Sequence, residues 1–176
     1  MEVKKIYFDM DGVLADFKRG VKEICGIEAP EQPQDASEAE MVEKKAADDK
    51  MWELIREAGH FYNRLELMPG AKEMFDAVYE KYGDKCEILT AVPKPDRHID
   101  SAGDDKKAWV KRLLSEDIEV NIVVRKQKIE RSGEKGCILI DDLQKNIDEW
   151  TAAGGTGVLN ESAEKTMEKL REMGIL

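Results

Sequence analysis

The segment that most constrains this chain runs from Lys4 to Phe17, KKIYFDMDGVLADF. Lys4 to Phe8 is a short, largely apolar run that leads into a carboxylate, Asp9, which is the pattern of a buried strand. A second carboxylate, Asp11, follows two residues later, and then Gly12, where the backbone must turn sharply. Val13, Leu14, Phe17 and Val21 recur at helical spacing, which predicts a helix from Val13 to about Cys25, stopped by Gly26. Asp9 and Asp11 are therefore expected just past the carboxyl end of a strand, where open α/β sheets place their ligands. Two carboxylates so close repel unless a cation sits between them or one holds a proton. Alone, an Asp-x-Asp-Gly is more often a solvated acidic turn than a site, and the rest of the chain has to decide.

The chain alternates from there. Met68-Pro69-Gly70-Ala71 opens a helix that Gly83 ends, and Cys86 to Thr90 is a strand ending on a hydroxyl. A loop from Ala91 to Gly103 precedes a helix over Asp104–Leu114, and Glu119 to Val124 is a third strand, followed at once by Arg125-Lys126-Gln127-Lys128. Gly136 to Ile140 leads to Asp141-Asp142, a helix covers Leu143–Ala153, Gly157–Leu159 is a fifth strand, and Ser162 caps a last helix. This alternation predicts an α/β fold, a Rossmann-like parallel sheet covered on both faces, whose strands share one carboxyl edge. Residues 27–67 do not fit the alternation. Pro30 and Pro33 bracket a turn-rich piece, the run from Asp35 to Lys50 is densely charged, and Trp52, Ile55, Phe61, Tyr62 and Leu65 are too apolar for a linker. The division expected is a core of 1–26 and 68–176, with 27–67 a small, mostly helical cap inserted after the first strand.

A chain of 176 residues can bury one substantial core. Its formal net charge of −10 argues against gripping a nucleic-acid polymer, while leaving room for one small phosphorylated ligand at a locally positive point. Cys25, Cys86 and Cys137 are far apart and form no CxxC, so neither a disulfide framework nor zinc is indicated, and they read as small buried apolar residues. Met1 to Lys5 leads straight into a strand without a signal-peptide core, and no apolar run approaches the length of a membrane span. The expectation is a cytoplasmic protein with no membrane partner.

Four of the five strands end on polar, chemically competent residues: Asp9/Asp11, Thr90, Lys126/Lys128 and Asp141/Asp142. Converging carboxylates call for a hard cation, and Mg²⁺ prefers oxygen ligands and partners substrate phosphate. A lysine and a hydroxyl alongside suit a charged tetrahedral oxyanion. One carboxylate can act as nucleophile and a second can shuttle a proton, so the residue types point to metal-assisted phosphoryl transfer.

These positions resemble the four motifs of the haloacid dehalogenase-like (HAD) phosphatase superfamily: Asp9-x-Asp11-Gly12-Val13, Thr90, a lysine after the third strand, and Asp141-Asp142. The resemblance covers essentially the whole chain. A narrower likeness, to the 5′(3′)-deoxyribonucleotidases of cytosolic type C and their bacterial and phage relatives, rests on Phe8 to Phe17, Phe61-Tyr62, Leu65 to Ala71, Lys106 with Trp109-Val110, Ile138 to Asp142 and Ala153-Gly154-Gly155. It implies Asp9 as nucleophile and Mg²⁺ ligand, and Asp11 as general acid/base with its carbonyl on the metal. It implies Thr90 on the phosphoryl group, Asp142 as third ligand, and Asp141 beside it on a metal-bound water, an order of the last two that stays open. Aligning Ile122-Val123-Val124 with the family's strand makes Lys128 the motif lysine and Lys126 a further phosphate-binding residue, although that register can slip. Where relatives often carry a second hydroxyl after the threonine, this chain has Ala91. Phe17 matches an aromatic of the base pocket, with core packing the alternative. Trp52, Phe61 and Tyr62 are readable as base-stacking or as core, Asp16 as structural, and His60 and His98 as surface residues.

The implied function is a Mg²⁺-dependent phosphatase acting on (deoxy)nucleoside 5′-monophosphates through an aspartyl-phosphate. The alternatives are the same chemistry on another small phosphoester such as a sugar phosphate, and a HAD-like binding module without catalysis. A polynucleotide-end phosphatase is opposed by the net charge, and a homodimer stays open.

Overall fold

The structure is a computed structural model that describes residues 2–31, 36–131 and 135–176, leaving out the side chains of residues 125, 126 and 129. The turn expected at Pro33 lies outside these residues. Five strands, β1 (Lys5–Phe8), β2 (Cys86–Ala91), β3 (Glu119–Val123), β4 (Cys137–Asp141) and β5 (Thr156–Leu159), form one all-parallel sheet in the order β3-β2-β1-β4-β5. The central strand β1 pairs Phe8 with Ile88 on one side and with Ile140 on the other. The chain winds outward from β1 to β3, then returns to the far side of β1, so the topological switch point falls between β1 and β4, where such sheets bind ligands.

The strands are apolar in near-continuous runs because both faces are covered. Ile6, Phe8, Ile88, Ile138, Ile140 and Val158 belong to the larger core. Tyr7, Leu89, Cys137 and Leu139 point the other way, against Ile147 and Trp150. Alternation of side chains along each strand divides these sets.

Among the described residues six α-helices accompany the sheet: α1 (Phe17–Gly20), which runs on through a π turn at Val21–Cys25, α2 (Glu38–Ala58), α3 (Ala71–Tyr82), α4 (Ala102–Leu113), α5 (Gln144–Ala152) and α6 (Ala163–Glu172). The first helix begins four residues later than the apolar spacing predicts. Residues 13–16 instead make a turn, with Leu14 and Ala15 N–H both bonded to the Met10 carbonyl, and Asp16 N–H bonded to Glu66 O. Met68 N–H in turn donates to Leu14 O, so this buried stretch is held by a neighbouring strand-like segment and not by its own helix. Asp16 caps α1 by accepting from Arg19 N–H, and Gly26, at φ 74°, ends the π turn.

The charged run expected to be solvated is most of α2. Ser37 and Glu40 form a reciprocal capping box, and only Met51 and Ile55 of this helix are buried. α2 lies against residues 17–25 and the 3₁₀ turns at Phe61–Arg64 and Pro95–Arg97. Among the described residues no helix is long and apolar enough to cross a membrane.

Candidate active site

β1 delivers the first carboxylate. Asp9 N–H continues the ladder to Ile140 O at 2.9 Å, which holds the residue at the mouth of the switch point, nine-tenths buried. Gly12 then takes φ 79°, and its N–H bonds to Ala15 O at 2.9 Å. A glycine is required twice over, because a Cβ here would also collide with the Asp142 carboxylate. The turn that carries Asp11 therefore lies directly against the turn that carries Asp142.

β4 ends on two carboxylates that do different things. Asp141 is fully buried, and its oxygens are taken up by Leu143 N–H (2.9 Å), Asn146 Nδ2 (2.9 Å) and Lys128 Nζ (3.0 Å). Asp142 is exposed and carries none of these bonds. One oxygen each from Asp9, Asp141 and Asp142 can lie within 4.8 Å of one another, a donor set that fits a hard cation. Asp11 Oδ1 adds a further sign that a ligand belongs here, being buried without a hydrogen-bond partner.

Two lysines balance the carboxylates. Lys128, in the 3₁₀ turn Arg125–Arg131, donates to Asp9 Oδ1 at 2.7 Å as well as to Asp141. Desolvation opposes its charge, but the two aspartates outweigh it and raise its pKa. The Lys126 side chain lies outside the described residues. Lys106, on the inner face of α4 and fully buried, donates to Asp11 Oδ2 (2.7 Å), Thr90 Oγ1 (2.9 Å) and Ala91 O (2.6 Å), and its ammonium lies over the Tyr62 ring. Sequence reasoning noted Lys106 but assigned it no role. The available signal was its position in the apolar stripe Ala102-Lys106-Trp109-Val110, where a lysine is buried only with partners.

Burial raises the Asp9 carboxyl to about 7, with Asp141 and Asp11 adding to the effect and Lys128 opposing it. Desolvation of the carboxyl end, followed by the charge of Asp141, pushes Asp142 up to about 6, even though the residue as a whole is exposed. Crowded carboxylates that hold protons are the expected state of a cation site in the absence of its ion.

Two hollows meet at this point. A polar one of about 210 Å³ is lined by Asp9, Asp11, Ala91, Lys128, Asp142 and Asn146 among others. The second, of about 490 Å³, shares Asp11 and Ala91 with it and is walled by Phe17, Trp52, Tyr62, Val92 and Pro93, with Asp48, Lys94 and Arg97 also lining it. Phe17 is half-buried and stands 6.0 Å from Trp52 between ring centroids. Phe61 is fully buried and packs edge-on against Phe17, as core. Arg97 joins the loop after β2 to α2 through Asp49 at 2.5 Å. His98 is exposed, whereas His60, also exposed, bonds to the buried Asp105 at 2.8 Å. Cys86 and Cys137 are buried and Cys25 is partly so, and none of the three is in a disulfide.

A family model described as 5′ nucleotidase, deoxy (pyrimidine), cytosolic type C protein matches residues 2–172. The chain belongs to that family. As a cytosolic type C 5′-nucleotidase family member it is a HAD-type phosphoric monoester hydrolase. Solved structures carry the same fold. A haloacid dehalogenase-like hydrolase of Streptococcus pneumoniae superposes with a TM-score of 0.56 at 13% identity, covering 89% of this chain and 84% of its own. A second hydrolase of that organism gives 0.55 at 15% identity, covering 97% and 100%. A HAD family enzyme of Bacteroides thetaiotaomicron, solved as a magnesium complex, gives 0.50 at 13%, covering 97% and 100%. No curated protein matches the chain in sequence.

Proposed function

We propose that this nucleotidase-family enzyme hydrolyses nucleoside 5′-monophosphates, deoxyribonucleotides among them, with Asp9 as nucleophile and Mg²⁺ as cofactor. The observation that carries the reading is the junction of the two hollows at Asp11 and Ala91: a small acidic and basic chamber sized for a phosphate opens into an aromatic one suited to a planar leaving group. The family's description supports a deoxypyrimidine nucleotide and a cytosolic setting. The magnesium complex of the Bacteroides enzyme supports the metal.

Asp9, Asp142 and the turn at Asp11 would hold the ion, with Asp141 behind them, already committed to Lys128, Leu143 and Asn146. Bound there, Mg²⁺ would supply charge neutralisation and orientation to the phosphoryl oxygens. Lys128 holds Asp9 by Oδ1, which leaves Oδ2, without a hydrogen bond among the described residues, to attack phosphorus. As that P–O bond forms, the ester P–O bond breaks, and Asp11 donates a proton from its carboxyl to the leaving alkoxide. Lys106 anchors Asp11 Oδ2, so the unpartnered Oδ1 is the oxygen placed to carry that proton. Asp11 then takes a proton from water, the resulting hydroxide attacks the acyl-phosphate, and the Asp9–phosphorus bond breaks to release phosphate. Thr90, fully buried and bonded to Lys106, is proposed to reach a phosphoryl oxygen of the bound substrate.

Residues 27–67 serve in this reading as the cap, with Trp52 on α2 and Tyr62 closing the aromatic chamber over Phe17. The test is phosphate release with Mg²⁺ across nucleoside monophosphates and sugar phosphates, with Asp9→Asn as control. Release led by a nucleotide is the expected result. Release led by a sugar phosphate would keep the chemistry and discard the nucleotide, and silence on the whole panel would favour a binding role.

A further inference from the structure

Asn160 follows β5, on the one strand end that sequence reasoning left without chemistry. It is buried, and its backbone N–H and both ends of its carboxamide are engaged. Its N–H donates to Asp141 O at 2.9 Å. Its Nδ2 donates to Gly12 O at 3.1 Å, and its Oδ1 accepts from the hydroxyl of Thr166, a fully buried residue of α6, at 2.7 Å. One residue thus bonds to the backbone of both turns whose carboxylates form the cation site.

The consequence is geometric. The Gly12 N–H belongs to the same peptide as the Asp11 carbonyl, and it is fixed by Ala15 O. Asn160 fixes the next peptide through Gly12 O, so both peptides flanking Gly12 are pinned. On the other side Asn160 holds the Asp141 carbonyl, one residue before Asp142. The two turns also touch directly, Gly12 against the Asp142 carboxylate. Like charges crowded there push the turns apart, and among the described residues Asn160 is a neutral bracket that bonds to both.

We infer that Asn160 is a positioning residue, oriented by Thr166, that sets the separation of the Asp9–Gly12 and Asp141–Asp142 turns and thereby the affinity of the site for its cation. The inference rests on the proposed Mg²⁺ site. Such outer partners act on metal affinity more than on chemistry once the ion is in place.

Calorimetric titration of the full chain with Mg²⁺, together with the Mg²⁺ dependence of p-nitrophenyl phosphate hydrolysis, tests it. Asn160→Ala should weaken Mg²⁺ binding about tenfold or more, with kcat at saturating Mg²⁺ close to wild type. Thr166→Val, which keeps the carboxamide but frees its oxygen, should weaken binding in the same direction by less, and it decides the matter if Asn160→Ala does not fold. A merely structural role would lower thermal stability and leave the Mg²⁺ affinity of the folded protein unchanged. Unchanged affinity in the folded variants, or kcat lost at unchanged affinity, overturns the inference. Failure of the wild-type protein to bind Mg²⁺ would instead overturn the metal reading beneath it.

Discussion

Lys106 Nζ lies 2.7 Å from Asp11 Oδ2, and the two residues are separated by 95 positions in the chain. A fully buried ammonium has no water to solvate it, so Asp11, Thr90, the Ala91 carbonyl and the Tyr62 ring together replace the hydration shell. The pair commits Asp11 Oδ2 and leaves Oδ1, which is buried, without a hydrogen-bond partner among the described residues. It also joins α4 to the turn after β1.

Lys106→Met keeps most of the side-chain volume and removes the charge. Asp11 then loses its anchor and Thr90 its donor, so kcat should fall about 100-fold, within the usual range for proton-transfer groups. Steady-state kinetics on p-nitrophenyl phosphate, with circular dichroism to show that the fold persists, checks this.

Asp9→Asn should abolish turnover and leave the fold intact, because Lys128 retains Asp141 as a partner. Without metal, the variant should melt at or above the wild-type temperature, since a carboxyl raised to about 7 is itself a source of instability at neutral pH. Measurable residual hydrolysis would exclude Asp9 as nucleophile.

Lys128→Ala should reduce activity more than Lys126→Ala. Lys128 contacts both Asp9 and Asp141, and its removal leaves two buried carboxylates facing each other. Parallel assays of the two variants decide, and the reverse order would assign the motif lysine to position 126.

Gly12→Ala places a methyl group where the Asp142 carboxylate lies, at a backbone φ of 79°. Mg²⁺ binding should weaken and activity fall together, because the two turns must separate to admit the side chain. Titration with Mg²⁺ and a Mg²⁺-dependence curve read both effects.

The metal-free protein should lose stability as pH rises. Asp9 and Asp142 have folded values of about 7 and about 6 against an ordinary 3.8, so the native state holds more protons than the unfolded chain between those limits. Unfolding free energy then falls with rising pH across that window. Mg²⁺ binds the deprotonated carboxylates and should reverse the trend. Melting temperatures of EDTA-treated wild type, relative to Asp9→Asn, should decline from about pH 5 to about pH 7.5, and Mg²⁺ should raise the melting temperature more at the higher pH. Activity should vanish with EDTA and return with Mg²⁺.

The α/β architecture, the five strands and the acidic strand ends were legible in the sequence because each is a local pattern. An apolar run of strand length flanked by turn residues specifies direction and burial over a few residues, and Asp9, Thr90 and Asp141 stand at or just past the ends of such runs. What local pattern misjudged was the start of the first helix. Val13 and Leu14 have helical spacing, but pairing with residues 66–68 holds them in a turn.

Only the tertiary structure decided which neighbours meet. Asp141 and Asp142 are adjacent and chemically identical, yet one is buried under three donors and the other is exposed at the rim, a division set by where Lys128 and α5 pack. Phe17 and Phe61 are the same residue type. One lines a cavity and the other fills the core, a difference that residue type alone does not encode. Lys106 and Asn160 reach the site from elements remote in the chain, and a contact of that kind depends on how whole layers stack. Periodicity records which side of an element is buried, and the packing of the sheet against its helices selects what each buried side chain touches.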